Sequence, residues 1–300
     1  MNILVTGANG QLGRELRRLS KGTGPDRWLF TDICELPGED TTLLDITDAD
    51  AVRLVTESER VSVIVNCAAY TDVEKAEDNP GEAFELNCRA AGNLACAAAS
   101  LGATLIHIST DFIFPGTGNI PLREDAPTGP LNVYGSTKLQ GEEAVLHSGC
   151  RAIILRTAWL YSPYGRNFVK SIRHITALRD SIEVVYDQTG SPTSATDLAQ
   201  LIRHIIASGQ LSKTGIYNFT DEGAVSRYDF ACCIRDLSGN TCEVNPCLSS
   251  DYKSKARRPS YAVLDKSLVK RTFGFAVPDW QTSLREVISR LDSEPSAEGL

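Results

Sequence analysis

Along the first half of the chain, short apolar blocks alternate with amphipathic stretches of helical length. Ile3-Leu4-Val5 reads as a buried strand, and Glu15-Leu16-Arg17-Arg18-Leu19 as the opening turns of a helix. The same alternation predicts strands at 28–30, 43–46, 61–65, 104–108 and 152–155, and helices over 48–59, 80–101 and 133–147. Thr47 is the expected cap of the first of these helices, with Asp50 three residues on. Strands and helices at this spacing predict a parallel sheet covered on both faces.

Beyond Arg156 the pattern loosens. Helices are predicted at 165–178, 195–207, 227–237 and 282–291, short strands at 182–185 and 215–219, and a long polar loop over 246–259. The fold expected is therefore α/β: a Rossmann-type, doubly wound parallel sheet over 1–157 and a smaller carboxy-terminal α/β substrate lobe over 158–292. Some later strands and helices are expected to return to the main sheet, and 293–300 to form a disordered tail.

Composition narrows the function classes. A chain of 300 residues can bury a large core, and a net charge of −8 with 30 scattered basic residues leaves no footprint for nucleic acid. A few well-placed arginines still suffice for a diphosphate. No stretch approaches a membrane span and none has a signal-peptide pattern, so no membrane partner and a cytoplasmic location are expected. The nine cysteines form no C-x-x-C pair and the four histidines are dispersed, which predicts reduced thiols and no metal at the active site. Cys242 and Cys247 are spaced to bridge only in an oxidising setting.

Chemistry enters at the glycines. Gly7, Gly10 and Gly13 follow the first strand and lead into the first helix. A backbone free of side chains there approaches a pyrophosphate, and the helix-start amides meet its charge. The spacing is G-x-x-G-x-x-G, a variant of the dehydrogenase form. Asp32, 19 residues after Gly13 at the end of the second strand, stands where a carboxylate holds ribose hydroxyls. No arginine follows to meet a 2′-phosphate, which favours NADH or dual use, so the cofactor expected is NADPH or NADH. Downstream, Tyr134 and Lys138 lie four apart on one predicted helix, sharing a face. A phenol beside a fixed cation ionises more easily: bringing it from about 10 to neutrality takes roughly 4 kcal/mol. Thr110 ends a strand at the sheet's carboxyl edge, where a hydroxyl can orient a substrate oxygen or merely cap a turn.

These motifs resemble the extended short-chain dehydrogenase/reductase family, and within it the dTDP-4-dehydrorhamnose reductase branch. The resemblance rests on 7–13, on Asn66-Cys67-Ala68-Ala69-Tyr70-Thr71-Asp72-Val73, and on Ser109-Thr110-Asp111-Phe112 with the residues to Gly116. It extends through 130–135, Arg156-Thr157-Ala158-Trp159, 187–193 and Arg258-Pro259. It implies reduction of the C4 ketone of dTDP-4-dehydro-L-rhamnose, with a nucleotide sugar as the substrate partner. Tyr134 would be the proton donor, Lys138 would hold the nicotinamide ribose and lower the tyrosine pKa, and Thr110 would bind the carbonyl oxygen. Cofactor contacts would also involve Asn9, Gln11, Leu12, Asp45, Ile46, Cys67, Ala68, Ala69, Tyr70 and Asn87, the last being equally an exposed helix asparagine. Asp111, Trp159, Asn167 and Arg258 would contact substrate; core packing is the alternative for Trp159 and simple solvation for Arg258. Some members form homodimers bridged by magnesium through glutamates. Glu15 matches one such position, but 193–197 carries threonine where a second glutamate is expected, with Asp197 one residue away.

Two relatives and one other class remain alongside. Dehydratases of the superfamily carry Thr-Asp-Glu where this chain has Thr110-Asp111-Phe112, whereas an epimerase shares the fold, the glycine turn and the Tyr134/Lys138 pair. A non-catalytic regulatory subunit, like that of methionine adenosyltransferase, could keep the glycine turn without turnover.

Overall fold

The computed structural model describes residues 1–22 and 24–293. Within them a seven-stranded parallel sheet is built from β1 (Asn2–Thr6), β2 (Arg27–Asp32), β3 (Thr42–Leu43), β4 (Val63–Asn66), β5 (Thr104–Thr110), β6 (Arg151–Thr157) and the strand Gly215–Asn218. Across the sheet the order is Gly215–Asn218, β6, β5, β4, β1, β2, β3. The order reverses between β1 and β4, which opens a crevice outside the carboxyl ends of the strands.

Apolar residues on both sheet faces drive the covering layers, as parallel sheets require. On one face Ile3, Val5 and Ile106 pack with Leu16 of helix Gln11–Ser20, Ile202 of helix Ala195–Ala207 and Phe273 of helix Ser267–Phe273. The other face joins Leu4, Ile64 and Leu105 to Val52 of helix Ala49–Ser58, Leu94 of helix Ala90–Leu101 and Val145 of helix Val133–His147. A third core gathers Tyr161, Phe230, Trp280 and Leu284. Helices Phe168–Leu178, Arg227–Leu237 and Trp280–Ser293 enclose it with a parallel strand pair, Ser181–Val185 and Glu243–Cys247.

Several local expectations are corrected. The helix expected over 80–101 is interrupted by a wide π-turn, Glu85–Arg89, between Pro80–Phe84 and Ala90–Leu101. That bulge carries Asn87 against Gly141, where an added Cβ would come within 2.1 Å of the Asn87 carbonyl oxygen. Asp48 rather than Thr47 caps helix Ala49–Ser58, accepting from the Asp50 and Ala51 amides, while the Thr47 hydroxyl turns back to Asp45 at 2.7 Å. The third strand is shorter than predicted, since Leu44 and Ile46 leave the ladder to enter the core. Pro246 lies inside strand Glu243–Cys247, where the pairing is two-stranded and an edge tolerates proline. The tail expected at 293–300 lies outside the described residues except for Ser293, which ends the last helix. Among the described residues no helix is long and apolar enough to cross a membrane, and all nine cysteines are free thiols.

Candidate active site

At the carboxyl end of β5 the chain passes through Ser109 and Thr110 into a single 3-10 turn, Asp111–Ile113. The Thr110 hydroxyl donates to Asp111 Oδ1 at 3.0 Å. Helix Val133–His147 starts beside this turn, capped by Asn132 Oδ1 on the Gly135 amide at 2.8 Å. Only glycine fits at 135, because a Cβ would lie 2.2 Å from the Phe112 carbonyl oxygen. The close approach sets Tyr134 edge-on to Phe112, with ring centroids 5.5 Å apart.

Tyr134, Lys138 and Glu142 recur at four-residue spacing along this helix. The buried Lys138 Nζ donates to the Ile108 carbonyl at 2.6 Å. Burial pulls its pKa down to about 8, and Glu142 opposes that fall. Glu142 is itself held by Arg156 at 2.7 Å and by the Ser109 hydroxyl. The acidified phenol expected from the sequence is corrected here. Burial, with the Asp111 carboxyl adding to it, pushes Tyr134 up to about 12, and the Thr110 hydroxyl opposes this. Sharing a helix face does not aim the ammonium at the phenol, because Lys138 is directed to the backbone of β5.

The cofactor side is built from backbone. Gly7 adopts φ 63°, and a Cβ there would lie 2.6 Å from the Ala68 amide nitrogen. At Gly13 a Cβ would lie 2.5 Å from the Ala8 Cα, so the helix packs directly on the turn. Helix Gln11–Ser20 begins at Gly10 with no side-chain cap, which leaves its first amides directed at the crevice. Asp32 receives the Asn9 amide at 2.9 Å and the Ile33 amide at 2.8 Å. The Asn9 side chain donates to the Cys34 carbonyl, and Gln11 Oε1 accepts from Ser162 and Asn167. Leu12 and Ile46 are core residues, and Asp45 is exposed. Cys67 lies between the glycine turn and Lys138: its carbonyl carbon is 2.9 Å from the position of a Gly7 Cβ, and its thiol feels the ammonium. Ala68 and Ala69 continue from it to Tyr70, whose amide donates to buried Asn87 at 2.8 Å; Asn87 also donates to Thr137. This crevice fits a dinucleotide: a cradle closed to any Cβ, uncapped helix amides and a carboxylate at the next strand end.

On the substrate side the parts come from distant segments. Asp111 is buried with Oδ2 lacking any partner, and burial raises its pKa to about 7 against the pull of Thr110 and Arg227. Trp159 follows β6 in a left-handed backbone, φ 47°, packed on Gly190. The Asn167 side chain is engaged internally, accepting from the Lys170 amide and donating to Gln11, Ser162 and Tyr164. Arg258 pairs with Glu74 at 2.7 Å, at the rim of a cavity of about 510 Å³ also lined by Leu131, Gln188, Ser249, Lys255 and Arg257. That volume suits a small-molecule ligand. The sequence reading missed Arg227, whose guanidinium lies over Trp159. A signal was available: Arg227 follows Ser226, the cap of a helix, and a cation at a helix start is disfavoured by the dipole.

Glu15 does not fit a metal ion. It is fully buried, paired with Arg18 at 2.8 Å and Arg290 at 2.7 Å, and Arg290 also reaches Thr196. A guanidinium therefore occupies the ground between Glu15 and 193–197.

Comparison with known proteins gives one consistent answer. The profile of the RmlD substrate binding domain matches residues 1–293. The dTDP-4-dehydrorhamnose reductase of Aggregatibacter actinomycetemcomitans is 38% identical over 95% of this chain and 97% of its own. A crystal structure of a dTDP-4-dehydrorhamnose reductase from Clostridium acetobutylicum superposes with a TM-score of 0.91 at 38% identity, covering 97% of this chain and 100% of that one. The Bacillus anthracis dTDP-4-dehydrorhamnose reductase, solved in complex with NADP, gives 0.85 at 33% identity, over 96% and 99% of the two chains.

Proposed function

Because the chain belongs to the RmlD substrate binding domain family, we propose that it reduces the C4 ketone of dTDP-4-dehydro-L-rhamnose to dTDP-L-rhamnose, with NADH or NADPH as reductant. It is a nicotinamide-dependent oxidoreductase acting on a nucleotide sugar. The observation that supports the finer reading is that Tyr134 lies against Phe112 and Lys138 binds the Ile108 carbonyl, so both flank Thr110 at the carboxyl edge of β5.

The roles follow from chemistry. A bound nicotinamide supplies hydride to the ketone carbon. Tyr134 is a neutral phenol at physiological pH and donates its proton to the ketone oxygen. Thr110 would turn its proton from Asp111 Oδ1 to the same oxygen, and Lys138 would hold the nicotinamide ribose. Gly7, Gly10 and the amides of helix Gln11–Ser20 take the pyrophosphate, and Asp32 the adenosine ribose. Lys255, Arg257 and Arg258 supply cationic lining for the nucleotide diphosphate, and Asn167 acts on the site only through Gln11.

The experiment is direct. Purified protein is offered a panel of 4-keto-6-deoxy nucleotide sugars with NADH or NADPH, absorbance is followed, and the sugar formed is identified. Stoichiometric consumption of reduced cofactor with the dTDP substrate is expected; turnover without net consumption would make the protein an epimerase instead.

A further inference from the structure

Loop 248–260 leaves strand Glu243–Cys247 and returns to strand Tyr261–Ala262. Its ends are pinned locally. The Ser249 amide and hydroxyl donate to Asp187 at 3.0 and 2.6 Å, and the Ser260 hydroxyl and Tyr261 amide donate to the Gly116 carbonyl at 2.8 and 3.1 Å. Its middle reaches further: residues 254–258 line the cavity of about 510 Å³ and also meet helix Val73–Asp78, far earlier in the chain. There Glu74 takes three donors from one short segment. The Ser254 hydroxyl donates to it at 2.6 Å, the Lys255 amide at 2.9 Å and the Arg258 guanidinium at 2.7 Å. Burial acts to raise the Glu74 pKa, yet these partners together hold it below its ordinary value, so the carboxylate is charged at neutral pH. One turn on, Asp78 receives the Lys255 ammonium at 2.6 and 2.7 Å. The loop is also held from the catalytic helix, whose cap Asn132 donates to the Arg257 carbonyl at 2.8 Å.

Helix Val73–Asp78 has six residues, and Glu74, Glu77 and Asp78 are three of them. Like charges four apart repel, and anions near a helix carboxyl end oppose its dipole, so the helix itself gains little from them. Their partners account for them: Glu77 accepts from the Val133 amide at 2.8 Å, at the start of the helix carrying Tyr134, and the other two hold the loop. Two N–H groups of Arg258 are engaged in this fastening, toward Glu74 and Ser254. The guanidinium fork is rigid, so its remaining N–H groups are held in a set plane. We propose that Glu74 and Asp78 are positioning residues that latch loop 254–258 over the cavity, present Arg258 to the diphosphate of the nucleotide sugar, and set how fast the nucleotide leaves. The presentation of Arg258 rests on the nucleotide-sugar reading above, whereas the closed loop needs no ligand. Both carboxylates keep contact with water, Glu74 being 39% and Asp78 53% exposed. The latch is therefore screened by salt and reversible.

Hydrogen exchange read by mass spectrometry tests the latch in the free protein, through the Lys255 amide that Glu74 holds. At low salt the peptide spanning 250–260 is expected to exchange about fivefold faster in Glu74→Gln than in wild type, the scale of an exposed charge pair, with a smaller rise in Asp78→Asn. Raising the ionic strength from about 0.05 M to about 0.5 M should bring wild type toward the variant and leave the variant unmoved. Stopped-flow displacement of dTDP reads the consequence. Dissociation is expected to be about fivefold faster from Glu74→Gln, with KM for the sugar nucleotide raised, kcat not lowered and NADH affinity within about twofold of wild type. If Glu74→Gln does not fold, Asp78→Asn, on the more exposed carboxylate, must change both readouts in the same direction. Exchange in the variants equal to that of wild type, or a wild-type loop indifferent to salt, would overturn the latch. Faster exchange with unchanged dTDP dissociation would remove its part in nucleotide release. A wild-type protein with the salt-sensitive loop that binds NADH but no dTDP would refute the nucleotide-sugar reading, and with it the role given to Arg258.

Discussion

Two acid–base pairs lie near Thr110 and Tyr134, and they are built in opposite ways. Glu142 and Arg156 are closed: three contacts of 2.7 to 3.2 Å join them, Ser109 adds another to Glu142, and Arg156 donates its remaining reach to the Glu124 carbonyl at 2.8 Å. Asp111 and Arg227 are open, sensing each other's charge with no bond between them. The closed pair ties the helix that carries Tyr134 and Lys138 to β6 of the main sheet. The open pair relates the turn after β5 to the start of helix Arg227–Leu237 through charge alone. A satisfied buried pair has no capacity left for a ligand and serves as frame; an unsatisfied one is destabilising to the free protein and is met by what binds there.

Between the pairs stands Tyr134, and its loss should have the largest effect. Tyr134→Phe leaves both pairs intact, so kcat is expected to fall by about 10²–10⁴-fold with NADH affinity nearly unchanged. A near-native rate in stopped-flow absorbance would move the proton donor elsewhere. Next in size is the closed pair itself. Glu142→Gln strands the Arg156 charge in the core and should lower unfolding free energy by about 3–5 kcal/mol, against about 1 kcal/mol or less for Asp111→Asn. Equal losses in urea titrations would erase the distinction between frame and ligand site.

The open pair also predicts a pH signature. Asp111 titrates at about 7 when folded and near its ordinary 3.8 when unfolded, so between those values the native state keeps a proton that the unfolded chain has lost. Its contribution to stability is full below about pH 4 and is lost as pH rises through 7. Asp197 and Asp221 are raised in the same direction, so the test is the difference between chains. Asp111→Asn should flatten the fall in stability between about pH 4 and 7, and parallel profiles for both proteins would contradict the raised pKa. The smallest effect expected is at the start of the catalytic helix. Asn132→Ala removes the cap on the Gly135 amide and the bond to the Arg257 carbonyl, for about 1 kcal/mol in thermal unfolding.

The asymmetry between the pairs also explains what could be read in the sequence. Elements built from local periodicity were legible: the predicted helices 133–147, 195–207 and 227–237 coincide with Val133–His147, Ala195–Ala207 and Arg227–Leu237. The π-turn at Asn87 was not, because the glycine that leaves room for the bulge, Gly141, lies 54 residues away in another helix. The glycine turn was visible because a backbone site leaves a trace in residue type: a Cβ at Gly7 or Gly13 has nowhere to go. Arg227 left only the faint trace of a cation on the wrong end of a helix, since an arginine that binds and an arginine that is merely solvated are the same letter.

What the chain determined by itself was the order of strands and helices, the glycine cradle and the four-residue step from Tyr134 to Lys138, all consequences of spacing along one backbone. What tertiary structure decided was where those groups point and what they meet. It directed Lys138 to Ile108 and left Tyr134 a high-pKa phenol, closed Glu15 with two arginines, and laid Arg227 over Trp159. The reason is that burial and charge act through space over a few ångströms, and residues 68 positions apart, as Trp159 and Arg227 are, become neighbours only in the folded chain.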